Sequence, residues 1–183
     1  MKNIHCDYMG LSLKSPVIVG SCDLTNSIEK MKKMEEYGAG AIVLKSIFEE
    51  EITNEALQNV ENTQFDVSCD ASDYIRRYTQ MASYEKYTNL IRQAKKELSI
   101  PVIASINCST DGKWLSYAKR IEDAGADALE LNIFFLPVSF KQNGNDNEAV
   151  YFKIVEQVLS AVNIPVALKT SYYFSALAKT LQT

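Results

Sequence analysis

With 183 residues, 46% of them hydrophobic and 23% charged, the chain has the composition of one soluble globular domain with room for a substantial core. A formal net charge of −4 argues against a nucleic-acid surface, and no apolar run approaches the ~18 residues of a membrane span. The start, Met1 to Asp7, lacks the apolar core of a secretory signal. Four scattered cysteines (Cys6, Cys22, Cys69, Cys108) with no Cys-x-x-Cys pair fit reduced thiols in a cytoplasm, and a lone histidine, His5, at the very start argues against histidine-based catalysis or metal binding.

In chain order, Tyr8-Met9-Gly10-Leu11 reads as the turn of a small hairpin suited to plugging a barrel floor. Ser15-Pro16-Val17-Ile18-Val19 is the first strand. Asn26-Ser27-Ile28-Glu29 fits a capping box, with Ile28, Met31 and Met34 on one helical face and Gly38 as the stop. Gly38 to Leu44 forms the second strand, followed by a long irregular loop. A helix then opens at Ser83, with Tyr84, Tyr87, Ile91, Ala94 and Leu98 at packing positions.

The third strand begins Ile100-Pro101-Val102, and a helix near Asp111 turns Trp114, Ala118 and Ile121 inward. Gly125 to Leu131 is the fourth strand. Asn143 to Asn147 reads as a turn-rich loop with too few carboxylates for calcium. A helix carrying Ile154, Val155, Val158, Leu159 and Val162 inward leads to the fifth strand at Ile164-Pro165-Val166, and Phe174 to Leu181 opens another helix.

Near-continuous apolar strands alternating with amphipathic helices predict a parallel α/β sheet. Proline-led and glycine-led strands alternate, as layered packing inside a (β/α)8 TIM-type barrel requires. Residues 1–183 therefore read as a single incomplete barrel domain: an N-terminal β-hairpin and about five β/α units, ending before the barrel could close. Candidate site residues sit at strand C-termini, where barrel enzymes place their chemistry. Strict two-residue alternation puts Lys45 on the face of Ala41 and Val43, Asn132 with Glu130, and Lys169 with Ala167. Two lysines, an asparagine and a glutamate would then share one electropositive enclosure, with Glu130 as counter-ion.

The segments Pro101-Val102-Ile103-Ala104-Ser105, Glu122 to Asn132, and Leu44-Lys45-Ser46 resemble the dihydroorotate dehydrogenase family, class 1-like. They are also similar to the flavin barrel of dihydropyrimidine dehydrogenase. The resemblance implies a cytoplasmic FMN-dependent oxidoreductase of pyrimidine biosynthesis that acts on a dihydropyrimidine-like small molecule. Charge and hydropathy give no expectation of a nucleic-acid or membrane partner, and a homo-oligomer is compatible with the sequence. Ser21, Lys45, Ser46, Asn132 and Lys169 match the FMN contacts, and Lys45 and Asn132 also match substrate contacts. Lys169 would lie beside the flavin N1 region, where a cation stabilises the reduced ring.

Two departures accompany the resemblance. Phe135 falls where the family keeps its catalytic cysteine or serine base, leaving Ser139 and Cys108 as substitutes. The family's substrate loop after the second strand is absent from Asp70 to Ile75. Its FMN-phosphate loops follow later strands, so the chain alone is expected not to retain FMN and to leave two strand edges unpaired. Two other readings stand beside this one: a Schiff-base barrel of aldolase type using Lys169 or Lys45, and a non-catalytic remnant or split half-barrel.

Overall fold

The computed structural model describes residues 4–61, 69–108, 111–136 and 138–182. Met1 to Asn3 of the opening segment, and Pro137 in the loop counted out to Phe135, lie outside the described residues, as does the side chain of Cys69.

β1 (Cys6–Tyr8) and β2 (Leu11–Leu13) pair antiparallel. Their turn places Met9 at φ 54° and Gly10 at φ 78°, the two left-handed positions that a tight hairpin demands. β3 (Ile18–Val19) leads through a 3-10 turn at Asp23–Asn26 into α1 (Ile28–Glu36) and β4 (Ala41–Val43). After β5 (Ile47–Phe48) come two consecutive helices, α2 (Glu49–Glu61) and α3 (Cys69–Glu97). The remainder alternates: β6 (Val102–Asn107), α4 (Asp111–Asp123), β7 (Ala128–Ile133), α5 (Gly144–Leu159), β8 (Val166–Thr170) and the short α6 (Leu177–Thr180). The sheet order is β3-β4-β6-β7-β8, every pair parallel, with β5 pairing with β6 beyond the end of β4. This is a curled parallel half-barrel of the TIM type. Among the described residues, β3 and β8 each pair with one neighbouring strand, and no helix is long and apolar enough to cross a membrane.

One structural unit is built twice. α1 ends at Gly38 (φ 97°) and α4 at Gly125 (φ 92°), each opening the left-handed turn into the next strand. The following residues make matching bonds: Gly40 N–H donates to Val17 O at 2.7 Å, and Asp127 N–H donates to Val102 O at 2.9 Å. Glu35 accepts the Ser99 N–H at 3.0 Å, and Glu122 accepts the Asn163 N–H at 2.7 Å. Each carboxylate thus holds the turn before a proline-led strand. Partial burial pushes the Glu35 carboxyl up, but bonds from the Ser99 hydroxyl and amide and from Lys14 outweigh it and hold it below the usual carboxylate range.

The sheet separates two apolar layers. Its outer face and the helices bury Ile42, Leu44, Ile106, Leu129, Leu131, Trp114 and Ile154 in the main core. Its inner face carries a smaller floor of Ala41, Val43, Ile103 and Ala128, closed from below by Leu13 of the hairpin. The expected floor plug is therefore present.

Five local expectations change. Residues 49–61, read as loop, are helical, and α3 begins at Cys69 rather than Ser83. Its first turns escape periodicity because Tyr74, Tyr78 and Met81 are exposed and the segment lies against α2 instead of the sheet. The cap of α1 is Ser27, with no side-chain bond, because Thr25 closes its own 3-10 turn through Oγ1 to Cys22 O at 2.8 Å and absorbs Asn26. Asn143 is not in a free loop: its side chain accepts the Asp146 N–H at 3.0 Å and starts α5 in a capping box. Leu159, expected inward, is exposed.

A Cβ on Gly40 would overlap the Ser15 carbonyl oxygen, a backbone atom with little freedom to move. Gly40→Ala should therefore destabilise the chain by about 1–3 kcal/mol, read as a lower urea midpoint with the slope unchanged. An unaltered midpoint would show that the hairpin-to-β3 passage yields freely.

Candidate functional site

The site grows from a register defect. Val43 pairs with Ile103 and Ile47 with Ile106, so three residues (44–46) lie opposite two (104–105). The extra residue makes a β-bulge, which breaks the two-residue alternation of side chains. Its consequence is that Ser46, not Lys45, continues the inner face. Ser46 Oγ lies 2.6 Å from Ser105 Oγ, while Lys45 swings to Asp23, with Nζ 2.7 Å from Oδ1. The expected shared enclosure of Lys45 with Glu130 and Lys169 is thus corrected.

The bulge also leaves the Ser105 backbone without strand partners on that side. Tyr87 of α3 fills the gap. Its hydroxyl donates to Ser105 O at 3.0 Å and accepts the Ser105 N–H at 2.9 Å. Full burial pushes this phenol far above its ordinary range, so it stays protonated and able to fill both roles.

From this point a hydrogen-bonded chain crosses the inner face. Ser46 N–H donates to Ser21 Oγ at 2.8 Å, and the two hydroxyls lie 3.1 Å apart. The Ser105 hydroxyl, fully buried, donates to Glu130 Oε1 at 2.7 Å. Lys169 Nζ donates to the same oxygen at 2.8 Å. Three of the sequence-predicted residues, Ser21, Ser46 and Lys169, are brought together by two that were not singled out as contacts, Ser105 and Glu130. Glu130 is the counter-ion expected, and it is mostly buried whereas the lysine is half exposed. A single serine in the apolar run Val102 to Ile106 was the available signal for Ser105; for Tyr87, helical spacing gave packing but not the hydroxyl's partners.

Asn132 sits beside Lys169 in the β7–β8 register, half-buried, and its carbonyl accepts from Asn107 Nδ2 at 2.8 Å. Phe135 points the other way. Its ring packs edge-on to Tyr151 of α5, 5.5 Å between centroids, against the main core. Phe134 flanks the strand end instead and meets Tyr173 at 6.1 Å. Neither substitute base is well placed: Cys108 is buried in the outer core, and burial together with Glu49 pushes its thiol far up. Ser139 lies exposed on the following loop.

Lys45 and Lys169 are both ion-paired. A hydrogen bond and the charge of Asp23 hold the Lys45 ammonium above its ordinary range. An amine nucleophile has to be neutral, so the Lys45 pairing works against a Schiff base there.

Tyr87→Phe keeps the ring but strips two buried backbone groups of their partner. The expected loss is roughly 1–3 kcal/mol in urea unfolding, with native secondary structure retained. An unchanged midpoint would mean the strand ladder closes without the phenol.

No protein-family model matches the chain. Among curated proteins it is similar to the catalytic subunit of dihydroorotate dehydrogenase B (NAD(+)) of Methanocella arvoryzae, 31% identical over 172 residues, 91% of this chain and 52% of that protein. It is also similar to the subunit of the same name from Thermoplasma volcanium, 26% identical over 183 residues and covering 93% and 55% respectively. The chain spans about half the length of these relatives. Among solved structures, a dihydrodipicolinate synthase aligns at TM-score 0.50 and 16% identity, over 91% of this chain and 50% of that one. That likeness is one of barrel fold.

Proposed function

We propose that this chain, related in sequence to the dihydroorotate dehydrogenases, carries the ring-facing floor of an FMN-dependent oxidoreductase acting on a dihydropyrimidine-like small molecule. One observation carries the reading: the continuous chain from Ser21 through Ser46, Ser105 and Glu130 to Lys169 lies on the inner face at the strand C-termini. Active sites of this fold class occupy that end.

The donor set fits the polar edge of a flavin ring. An ammonium has three donors, and Lys169 spends one on Glu130 while remaining half exposed. Bound there, FMN would supply a two-electron acceptor for hydride. Lys169 would hold positive charge at the ring edge that becomes negative on reduction, and Glu130 would fix its direction. Ser21 and Ser46 would bond along the same edge. Asn132, the register neighbour of Lys169, would orient the substrate.

Oxidising a dihydropyrimidine also removes a proton, and base assistance is typically worth ~10²–10⁴ in rate. Phe135 offers no base, and the Cys108 thiol is buried away from the inner face. Dihydroorotate itself is therefore expected to be a slow substrate.

This half-barrel alone is expected not to retain FMN, so FMN titration followed by ring absorbance tests the floor in a fusion of the chain to the remaining strands of a relative's barrel. Lys169→Ala should weaken binding about tenfold, ~1.4 kcal/mol; equal affinity, or no spectral change with either protein, would remove the flavin assignment. In anaerobic assay with dihydroorotate, Phe135→Cys should give no faster flavin bleaching than the parent, because that side chain faces Tyr151. A gain would show that the β7–α5 loop turns the position inward. Borohydride treatment with pyruvate should leave the masses of the Lys45 and Lys169 peptides unchanged; an adduct on either would favour aldolase-type chemistry.

A further inference from the structure

α2 and α3 line an open cleft of about 970 Å³ beside the bulge, where Lys45 and Ser46 form part of its wall. Its size lies at the upper end of small-molecule sites. Two hydrogen bonds between the helices tie them together: Asn59 Nδ2 donates to Thr79 Oγ1 at 3.3 Å, and Ser83 Oγ donates to Glu55 Oε2 at 3.2 Å. An antiparallel helix pair usually closes on apolar residues. Here polar residues share the facing stripes with apolar ones. Glu51, Glu55 and Asn59 recur every four residues along α2, and Lys86, Asn89 and Gln93 recur at three- and four-residue spacing along α3. Ile47, Phe48, Ile52 and Leu90 form an apolar floor, and Ile75, Tyr78 and Ala82 add apolar surface on the α3 side.

The charges are segregated by wall. Carboxylates line the α2 side and an ammonium the α3 side, while Lys45 at the rim is already bound to Asp23. Two lysines against two glutamates leave the lining without net charge, and no arginine contributes. Phosphate recognition relies on an excess of positive donors, which this lining does not offer. The arrangement suits a ligand with opposite charges at its two ends, amide groups between them and an apolar side group.

We propose that this cleft binds a small zwitterion of dipeptide size. Glu51 and Glu55 receive its ammonium, Lys86 its carboxylate, Asn89 and Gln93 its peptide group, and the Phe48–Leu90 floor its side chain. The site does not depend on the flavin reading, since it is tested by binding alone.

Calorimetric titration of the 183-residue chain with alanyl-phenylalanine, its N-acetyl form and its C-terminal amide decides the matter. The free dipeptide should bind, and each capped form should bind about tenfold more weakly, ~1.4 kcal/mol. Lys86→Gln should erase the penalty for the amide, and the Glu51→Gln, Glu55→Gln double variant the penalty for the acetyl cap. All three positions are exposed, so the variants should melt with the parent. No binding of the dipeptide at millimolar concentration, equal binding of the capped forms by the parent, or preferential binding of inorganic phosphate would each overturn the proposal.

Discussion

A buried phenol standing in for a missing strand partner holds the candidate site together. The bulge at residues 44–46 would by itself leave the Ser105 N–H and C=O facing an apolar interior unpaired, each at a cost of about 1–3 kcal/mol. The Tyr87 hydroxyl satisfies both. With the bulge tolerated, Ser46 turns inward, meets Ser105, and the line of bonds to Glu130 and Lys169 can form. Without it, strict alternation would put Lys45 on the inner face and Ser46 under the helices. The same defect brings Lys45 out to Asp23 at the rim of the α2–α3 cleft. One extra residue thus decides which side chains face the barrel interior and which face the cleft.

The scaffold around this defect is regular. A helix ending in a left-handed glycine, a carboxylate reaching forward to the next turn and a proline-led strand recur in the two halves of the chain. The carboxylates matter because the turns before β6 and β8 present backbone N–H groups without strand partners, and Glu35 and Glu122 accept them. In the second half Asp127 adds a further tie, accepting the Val102 N–H at 2.7 Å while Lys95 donates to it at the same distance. Gly40 holds the equivalent position in the first half and has no side chain there because the Ser15 carbonyl occupies the space. The repeat is therefore one of backbone geometry, met by different side chains where the local space differs.

Much of the fold was legible in the sequence because its strands are buried on both faces and its helices cover them. Val102 to Ile106 or Ala128 to Ile133 could hardly be anything but inner strands, and Gly38 and Gly125 marked helix ends that the backbone bears out. The reading failed where side chains do not pack on the sheet. Tyr74, Tyr78 and Met81 are exposed, so the first turns of α3 carry no inward stripe to detect. In the site, alternation correctly joined Glu130 to Lys169 along regular β7 and β8, but failed for Lys45, which follows a bulge. Register pairing across strands is non-local, and no pattern within residues 41–48 reveals that their partner strand is one residue shorter.

The charge arrangement also narrows the chemistry such a face can perform. The Lys169 ammonium shares one carboxylate oxygen with a fully buried hydroxyl, so its direction is fixed by a group that cannot move without breaking a second bond. A fixed cation at the edge of a cavity stabilises negative charge that develops next to it, and does so without reorganising during the reaction. An imine-forming lysine needs the opposite: a neutral, freely rotating amine, favoured by apolar burial or a neighbouring cation. Asp23 opposes that state by stabilising the proton on Lys45, and the bond to Glu130 keeps the Lys169 amine from rotating freely. Both lysines are therefore arranged as electrostatic anchors, a role that suits an electron-accepting ring placed over the serine line better than a covalent carbonyl adduct.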